Sequence, residues 1–406
     1  MKKHWKFLIE FLMLRGNRKI LFSILPRLRN KSSGKREIKR LSHRFTLMFI
    51  QLMKTAYSSC LLLACFLLWA CGEHTQKVEF KALPSDGIQS TAITIDTLSC
   101  NTFFSNPTSV YIINDSLLLT FDDNRGDKMC HIINTRKGVI MKSFGEWGKA
   151  RSEFIYPQGA YLFEDSLCYI YDFQTRNNVC FSLTNILQGK PAVKSIIAMN
   201  EINYDEPMTH RFYKVYPLSQ GRFIGFGNHP ENRIQIFNSS KLLNTYSDYP
   251  ILDETEENNW SIWGNMACFG VSPDEKHIVI TTRIGAAFEI LSLNGNQITH
   301  SHVRGFYKPA YDIAQGAKPA CVIATPKTIL GFSALHVTND GFYAVLAGPE
   351  NHYNELLKFN FDGECVHKYC FPDFVTDIAC ITLKNEILWG FIEDKENEIK
   401  LIKSRI

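Results

Sequence analysis

The sequence predicts an all-β chain, a six-bladed β-propeller preceded by a signal peptide and a short tether. Three observations carry this. Helical periodicity is scarce after residue 90, where short apolar or alternating runs are punctuated by Asn, Asp, Gly and Pro. A phrase made of a turn dipeptide followed by a strand occurs six times. An apolar run ending in a cysteine, Leu61 to Cys71, lies behind the basic start Met53-Lys54.

The elements follow in chain order. Residues 1–52 carry 14 basic and 2 acidic side chains. A secretory signal works best at the very N-terminus, so translation is expected to begin at Met53, with 1–52 a basic extension that need not be translated. Residues 53–70 read as the signal peptide, since their apolar run is too short for a bilayer span of roughly 20 residues. Leu68-Trp69-Ala70-Cys71 resembles the lipobox of bacterial lipoproteins. That resemblance implies a diacylglyceryl thioether and N-acylation on Cys71, and two or three acyl chains anchor durably where one does not. Gly72 at the next position avoids the aspartate associated with inner-membrane retention, which points to the outer membrane. Residues 71–88 are polar and non-periodic, the expected lipidated N-terminus and flexible tether.

Residues 89–406 are expected to form the propeller. The phrase appears at Asn114-Asp115, Glu164-Asp165, Gln220-Gly221, Asp274-Glu275, Asn339-Asp340 and Lys384-Asn385, spaced 45–65 residues apart. Each is followed by a second strand and hairpin, such as Phe288–Gly295 or Leu356–Gly363, whose Asn-Gly and Asp-Gly pairs tolerate positive φ. One four-stranded sheet cannot bury both its faces, so six such units are expected to stack around an axis. The last unit is a strand short, and Thr91–Asp96 is the expected latch. A pair of β-sandwiches is the competing arrangement.

Charge narrows the function. Of the 45 basic and 40 acidic residues, 15 and 2 lie in 1–71, leaving 30 and 38 beyond and a net of −8. That argues against a nucleic-acid partner. Beyond Cys71 nine cysteines remain. They lack any C-x-x-C and sit mostly in apolar runs, so they read as small buried hydrophobes.

The run Phe144–Pro157 resembles the G-x-x-G-K-G-P-G-E-F-x-x-P signature of TolB-like six-bladed propeller lipoproteins of the bacterial envelope. Gly145, Gly148, Lys149, Glu153, Phe154 and Pro157 match; Ala150, Arg151 and Ser152 replace Gly-Pro-Gly. The family's following D-x-L-x-(I/V)-x-D strand is matched by Asp165–Asp172. The resemblance implies the fold and an envelope location, and no defined reaction.

Chemistry is sparse. The sequence contains no nucleophile elbow, P-loop or HExxH, so no catalytic residue, cofactor or metal is assigned. Asp122–Asp127 lacks the spacing of a calcium loop and reads as a solvated hairpin turn. His300 and His302 are two apart, would share one face of a strand, and lack a third ligand. Trp260 and Trp263 follow an acidic run, and Trp147 and Arg151 lie in the family-like loop. If both loops join successive blades, these four form an aromatic and cationic platform on one rim, or the tryptophans wedge between blades. Lys149 and Glu153 are expected to pair across their loop. The leading expectation is a lipid-anchored binding or scaffold module for a glycan, peptide or envelope protein, which in its plainest form is a spacer in a larger complex. The alternative is a metal-dependent hydrolase whose site lies in the central channel.

Overall fold

The structure is a computed structural model that describes residues 77–83, 88–100, 104–124, 128–199, 212–227, 233–252, 261–263, 267–314, 322–348 and 352–406. The propeller belongs to one compact unit, Thr75–Ile406. The signal peptide, Cys71 and Trp260 lie outside the described residues.

Two short strands, β1 (Gln89–Ala92) and β2 (Ile95–Leu98), precede the ring. Blade one is β3 (Pro107–Asn114), β4 (Leu117–Asp122), β5 (Lys128–Asn134) and β6 (Val139–Glu146). Blade two is β7 (Pro157–Phe163), β8 (Leu167–Asp172), β9 (Asn177–Ser182) and β10 (Val193–Ala198), with the helical turn α1 (Leu183–Leu187) before its last strand. Blade three is β11 (Lys214–Leu218), β12 (Arg222–Phe226), β13 (Ile234–Asn238) and β14 (Leu242–Tyr246). Blade four is β15 (Ala267–Val271), β16 (His277–Thr282), β17 (Ala286–Asn294) and β18 (Gln297–Tyr307). A small ribbon, β19 (Asp312–Ile313) with β20 (Val322–Ile323), leads to blade five: β21 (Leu330–Val337), β22 (Phe342–Gly348), β23 (Glu355–Phe359) and β24 (Cys365–Cys370). Blade six has β25 (Val375–Lys384), β26 (Ile387–Asp394) and β27 (Ile399–Arg405).

The missing fourth strand of blade six is β2, antiparallel to β27 with Ile95 opposite Ser404. The latch therefore sits within and just beyond the run expected to supply it. The neighbouring β1 adds, in parallel, a fifth strand to blade five through β24. Residues 77–83, expected to be flexible tether, instead lie along the ring. Val78 N–H donates to Ile251 O at 2.9 Å and Lys81 N–H to Gly305 O at 2.8 Å. The Val78 side chain is buried in the core between blades three and four. An apolar Val78-x-Phe80 pair is held because Gly305 leaves room for the Phe80 ring; a Cβ there would stand 2.6 Å from it.

Burial explains the strand composition. The second strand of each blade is covered on both faces by neighbouring blades, so it reads as a continuous apolar run, as in Leu118 to Phe121 or Ile278 to Ile280. The fourth strands stand at the rim and are half exposed, as in β10 and β14. Among the described residues six apolar clusters occupy the six junctions between blades. The junction of blades six and one, which closes the ring, is filled by Leu118, Ile133, Phe391 and Leu401, with Phe104 edge-on to Phe391 at 4.8 Å. Five described cysteines are buried and three half-buried, all as free thiols.

Each of the six repeated phrases forms the turn from the first to the second strand of its blade. Two of them place consecutive non-glycine residues at positive φ, Glu164 (50°) with Asp165 (51°) and Asn385 (52°) with Glu386 (60°), as the right-handed twist of a hairpin demands. Antiparallel succession puts these turns, and those between third and fourth strands, at one end of the axis. We refer to this end as the turn face. The connections between blades, and the second-to-third turns, emerge at the other end, the loop face.

Candidate functional site

On the turn face, side chains stitch blade to blade. Glu275 accepts from the Ser219 backbone N–H, from the Ser219 hydroxyl at 2.9 Å and from Arg222 Nη2 at 2.7 Å. Arg222 Nη1 reaches Gly295 O at 2.7 Å. Asp274 N–H donates to Asn339 Oδ1 at 3.0 Å, and Lys384 pairs with Asp165 at 3.4 Å. These contacts join blades three, four and five, and link blade six to blade two.

On the loop face, the family-like segment is a closed clip. The Gly148 N–H donates to Phe154 O at 3.0 Å and the Phe154 N–H to Glu146 O at 3.0 Å. Glu153 does not pair with Lys149. Its carboxylate turns inward to accept the Ala150 N–H at 2.9 Å, and a Cβ at position 148 would stand 1.9 Å from it. Gly145 adopts φ 76° with Met129 Cγ 2.9 Å from where its Cβ would be, so no other residue fits. Phe154 is fully buried in the core between blades one and two. Pro157 opens β7 opposite Asp172, which is itself buried and accepts the N–H groups of Ile155 at 2.7 Å and Tyr156 at 2.6 Å. Asp122 repeats this device in blade one, accepting from Ser105 at 3.2 Å and Asn106 at 2.7 Å. It is 3% exposed, so its end of the Asp122–Asp127 run is an anchor for the preceding loop rather than a solvated turn. The signature is thus a structural lock that fixes how one blade leads into the next.

Among the described residues, the expected platform is not assembled. Trp263 is fully buried between blades three and four, its Nε1–H donating to Pro250 O at 2.9 Å. The reason lies in a charge that its surroundings must cover. Arg233 has no exposed surface; its Nη2 meets Glu289 Oε2 of blade four at 2.5 Å and its Nη1 donates to Asp248 O at 2.8 Å. The guanidinium lies 4.9 Å from the Tyr249 ring centroid and 5.3 Å from that of Trp263, so the tryptophan is a wall of a cation box. Trp147 is half-buried, its Nε1–H donating to Asn124 O at 3.2 Å. Arg151 and Lys149 are exposed.

His300 and His302 do not share a face. A bulge in the β17–β18 register between Ile290 and Leu291 separates them. His300 Nε2 lies 3.8 Å from Glu289 Oε1 on the blade-three side, whereas His302 faces Gly363 of blade five.

What the structure does gather is an axial cluster at the loop-face mouth, built from strand ends that no local motif marks. The outermost first-strand positions of the six blades are Pro107, Pro157, Lys214, Ala267, Leu330 and Val375, each opposite the end of a second strand. Lys214 is the charged one. It shares a side of β11 with Tyr216, whose ring packs 4.1 Å from Tyr161 of blade two. Burial lowers the Lys214 ammonium, and the cation of Arg283 lowers it further. Arg283 is fixed by its own carbonyl, which accepts the Gly331 N–H at 2.9 Å. A Cβ on Gly331 would stand 1.8 Å from Gly285 O, so only glycine permits that crossing. Across the mouth Asp377 stands opposite Glu393 on the β25–β26 hairpin and accepts the Ile378 N–H at 2.6 Å. Burial raises its carboxyl, Glu393 raises it further, and Arg283 acts in the opposite direction. Tyr353 lies within reach of both Arg283 and Asp377, and burial pushes its phenol up to about 12. Burial likewise raises Tyr216, also to about 12. Among the described residues, Lys214, Arg283, Asp377 and Glu393 form no ion pair.

A channel metal would need carboxylates converging from several blades. Asp377 and Glu393 come from one hairpin. The carboxylates of Asp394, Glu396 and Glu398 lie within 4.8 Å of one another on the next turn, where Lys400 pairs with Asp394 and Glu398.

Six blades of four strands, the fifth extended by β1 and the sixth completed by β2, with an axial mouth on the loop face, define an all-β six-bladed propeller. The profile of the TolB-like 6-blade propeller-like family matches residues 85–383, and the chain belongs to that family. No curated protein matches the sequence. Among solved structures, a Bacteroides fragilis NCTC 9343 protein described as exported is similar at 10% identity and a TM-score of 0.53, covering 82% of this chain and 99% of that one. A duf4221 family member from Bacteroides vulgatus gives 10% identity, a TM-score of 0.46 and coverage of 82% and 98%. A luciferin-regenerating enzyme gives 12%, 0.45, and 77% and 95%. At these identities the likeness is one of fold.

Proposed function

We propose that the chain is a lipid-anchored protein of the cell envelope, held through Cys71, whose propeller binds a partner at its loop face. The lipobox-like Leu68–Cys71 supports the anchor. The similarity to a protein described as exported is consistent with that address. One observation carries the binding role. On the turn face Arg222 pairs with Glu275 and Lys384 with Asp165 from blade to blade, whereas the loop-face mouth gathers Lys214, Arg283, Asp377 and Glu393, without an ion pair among the described residues, beside phenols of blades two, three and five. Lys214, Asp377 and Glu393 are half-buried and Arg283 is exposed; a half-buried charge without a partner costs free energy in the folded chain, and a ligand that pairs with it recovers it.

Two measurements test this reading. Labelled fatty acid should mark the wild-type chain in the membrane fraction and be lost in Cys71→Ser; unchanged label and fractionation would refute the anchor. The propeller expressed from residue 72 should gain thermal stability with at least one class among cell-wall glycans and short peptides. The gain should be reduced by Arg283→Glu on the loop face and kept by Lys384→Glu on the turn face. A gain indifferent to Arg283 would refute the assignment of the face.

A further inference from the structure

The two signs of charge at the axial mouth come from different sides of the ring. Lys214 and Arg283 belong to blades three and four, Asp377 and Glu393 to blade six. Tyr353 of blade five is within electrostatic reach of both Arg283 and Asp377. Tyr216, on the same side of β11 as Lys214, packs against Tyr161 of blade two with the rings tilted 47°. The positions are fixed by backbone, since Lys214 sits in the β11–β12 register, Arg283 is tied to Gly331, and Asp377 is held by its own strand.

A ligand that satisfies this arrangement must carry both charges. A neutral glycan would offer no counter-charge to Lys214, Arg283, Asp377 and Glu393 as it covered the mouth. A phosphate would match the cationic side and be repelled by Asp377 and Glu393. A short peptide with a free ammonium at one end and a carboxylate at the other matches both sides, and its amide groups can hydrogen-bond the phenols between them. We infer that the axial mouth is a receptor site for a short zwitterionic peptide, carboxylate toward Lys214 and Arg283, ammonium toward Asp377 and Glu393. This deepens, and rests on, the reading of the propeller as a binding module.

The test uses the propeller from residue 72 with alanine di-, tri- and tetrapeptides, each also as the N-acetyl and the C-terminal amide form, followed by titration calorimetry. The free peptide of best length should bind, and blocking either end should weaken it by about tenfold or more, the size of a lost charge-assisted contact. Asp377→Asn should remove the penalty of N-acetylation while keeping that of amidation. Lys214→Met should do the reverse, and Lys214→Arg should restore preference for the carboxylate. Melting temperatures within a few degrees of wild type show that each variant is folded; should Lys214→Met fail this, Arg283→Gln replaces it. Equal binding of free and blocked peptides, or no peptide binding at all, would overturn the inference. If a glycan still binds in an Arg283-dependent way, the wider binding role survives; if nothing binds, both fall together.

Discussion

Arg233 and Glu289 offer the sharpest quantitative test of the junction between blades three and four. Both side chains have no exposed surface, and the ion pair is 2.5 Å long. Arg233 makes a second contact to Asp248 O at 2.8 Å and lies under the Tyr249 and Trp263 rings. Replacing Glu289 with Gln leaves a buried guanidinium with its charge uncompensated, a loss of about 3–5 kcal/mol. For a propeller of this size, with an unfolding entropy near 2.1 cal/mol/K per residue, that is a fall in Tm of about 4–7 °C. Arg233→Met should cost a comparable amount, because it strands the carboxylate. The double variant Arg233→Met/Glu289→Met removes both charges and fills the space with apolar groups, so most of the loss should return. Urea unfolding of the four proteins gives the coupling energy directly. A coupling below about 1 kcal/mol, or losses that simply add, would mean that the pair is solvated and that the aromatic box does not hold a charge.

Three further outcomes follow from the geometry. Trp263→Ala should cost about 3–5 kcal/mol in urea unfolding, as expected for a large buried ring, whereas Arg151→Ala should change stability by less than about 0.5 kcal/mol; equal small effects would return Trp263 to the surface. Glu153→Ala should cost about 1–2 kcal/mol by freeing the Ala150 N–H, while Lys149→Ala should be nearly silent; equal losses would restore the ion pair between them. His336 donates its Nε2–H to Leu383 O at 3.1 Å and is held down at about 4 by burial. The unfolded chain takes up that proton near 6.5, so stability should rise with pH between about 4 and 6.5, by at most about 3 kcal/mol. His336→Gln should flatten that part of the profile, and an unchanged slope in urea midpoints would count against the assignment.

The repeated turn phrases were readable because a tight turn restricts its residues locally, and positive φ recurs in these turns of blades two to six. The latch was readable because the last unit visibly lacked a strand. The second strand added by β1 was not, since an edge pairing with β24 leaves no trace in the four residues Gln89–Ala92 beyond ordinary strand composition. The tryptophans misled because Trp263 owes its burial to Arg233 and Glu289, which lie far from it in sequence and in different blades. A recurring Asp at the end of the second strand, as at Asp122, Asp172 and Asp394, was a signal that could have exposed the loop anchors. The axial cluster has no such signal. Blades two to six contribute one or two side chains each, and only closure of the ring brings them together.

The strand exchange at the ring junction sets the order in which the molecule can be completed. Ser404 meets Thr94 across a separation of 310 residues, and joining ends that far apart costs about 5 kcal/mol of chain entropy for an ideal coil. That cost is met only when β2 docks on β27, by which time every other blade can already have formed. The propeller strands that are synthesised first are therefore the last to find their place. Until then β24 and β27 present unpaired edges, which are ready templates for a strand from another chain. The protein passes its most aggregation-exposed stage at the final step of folding.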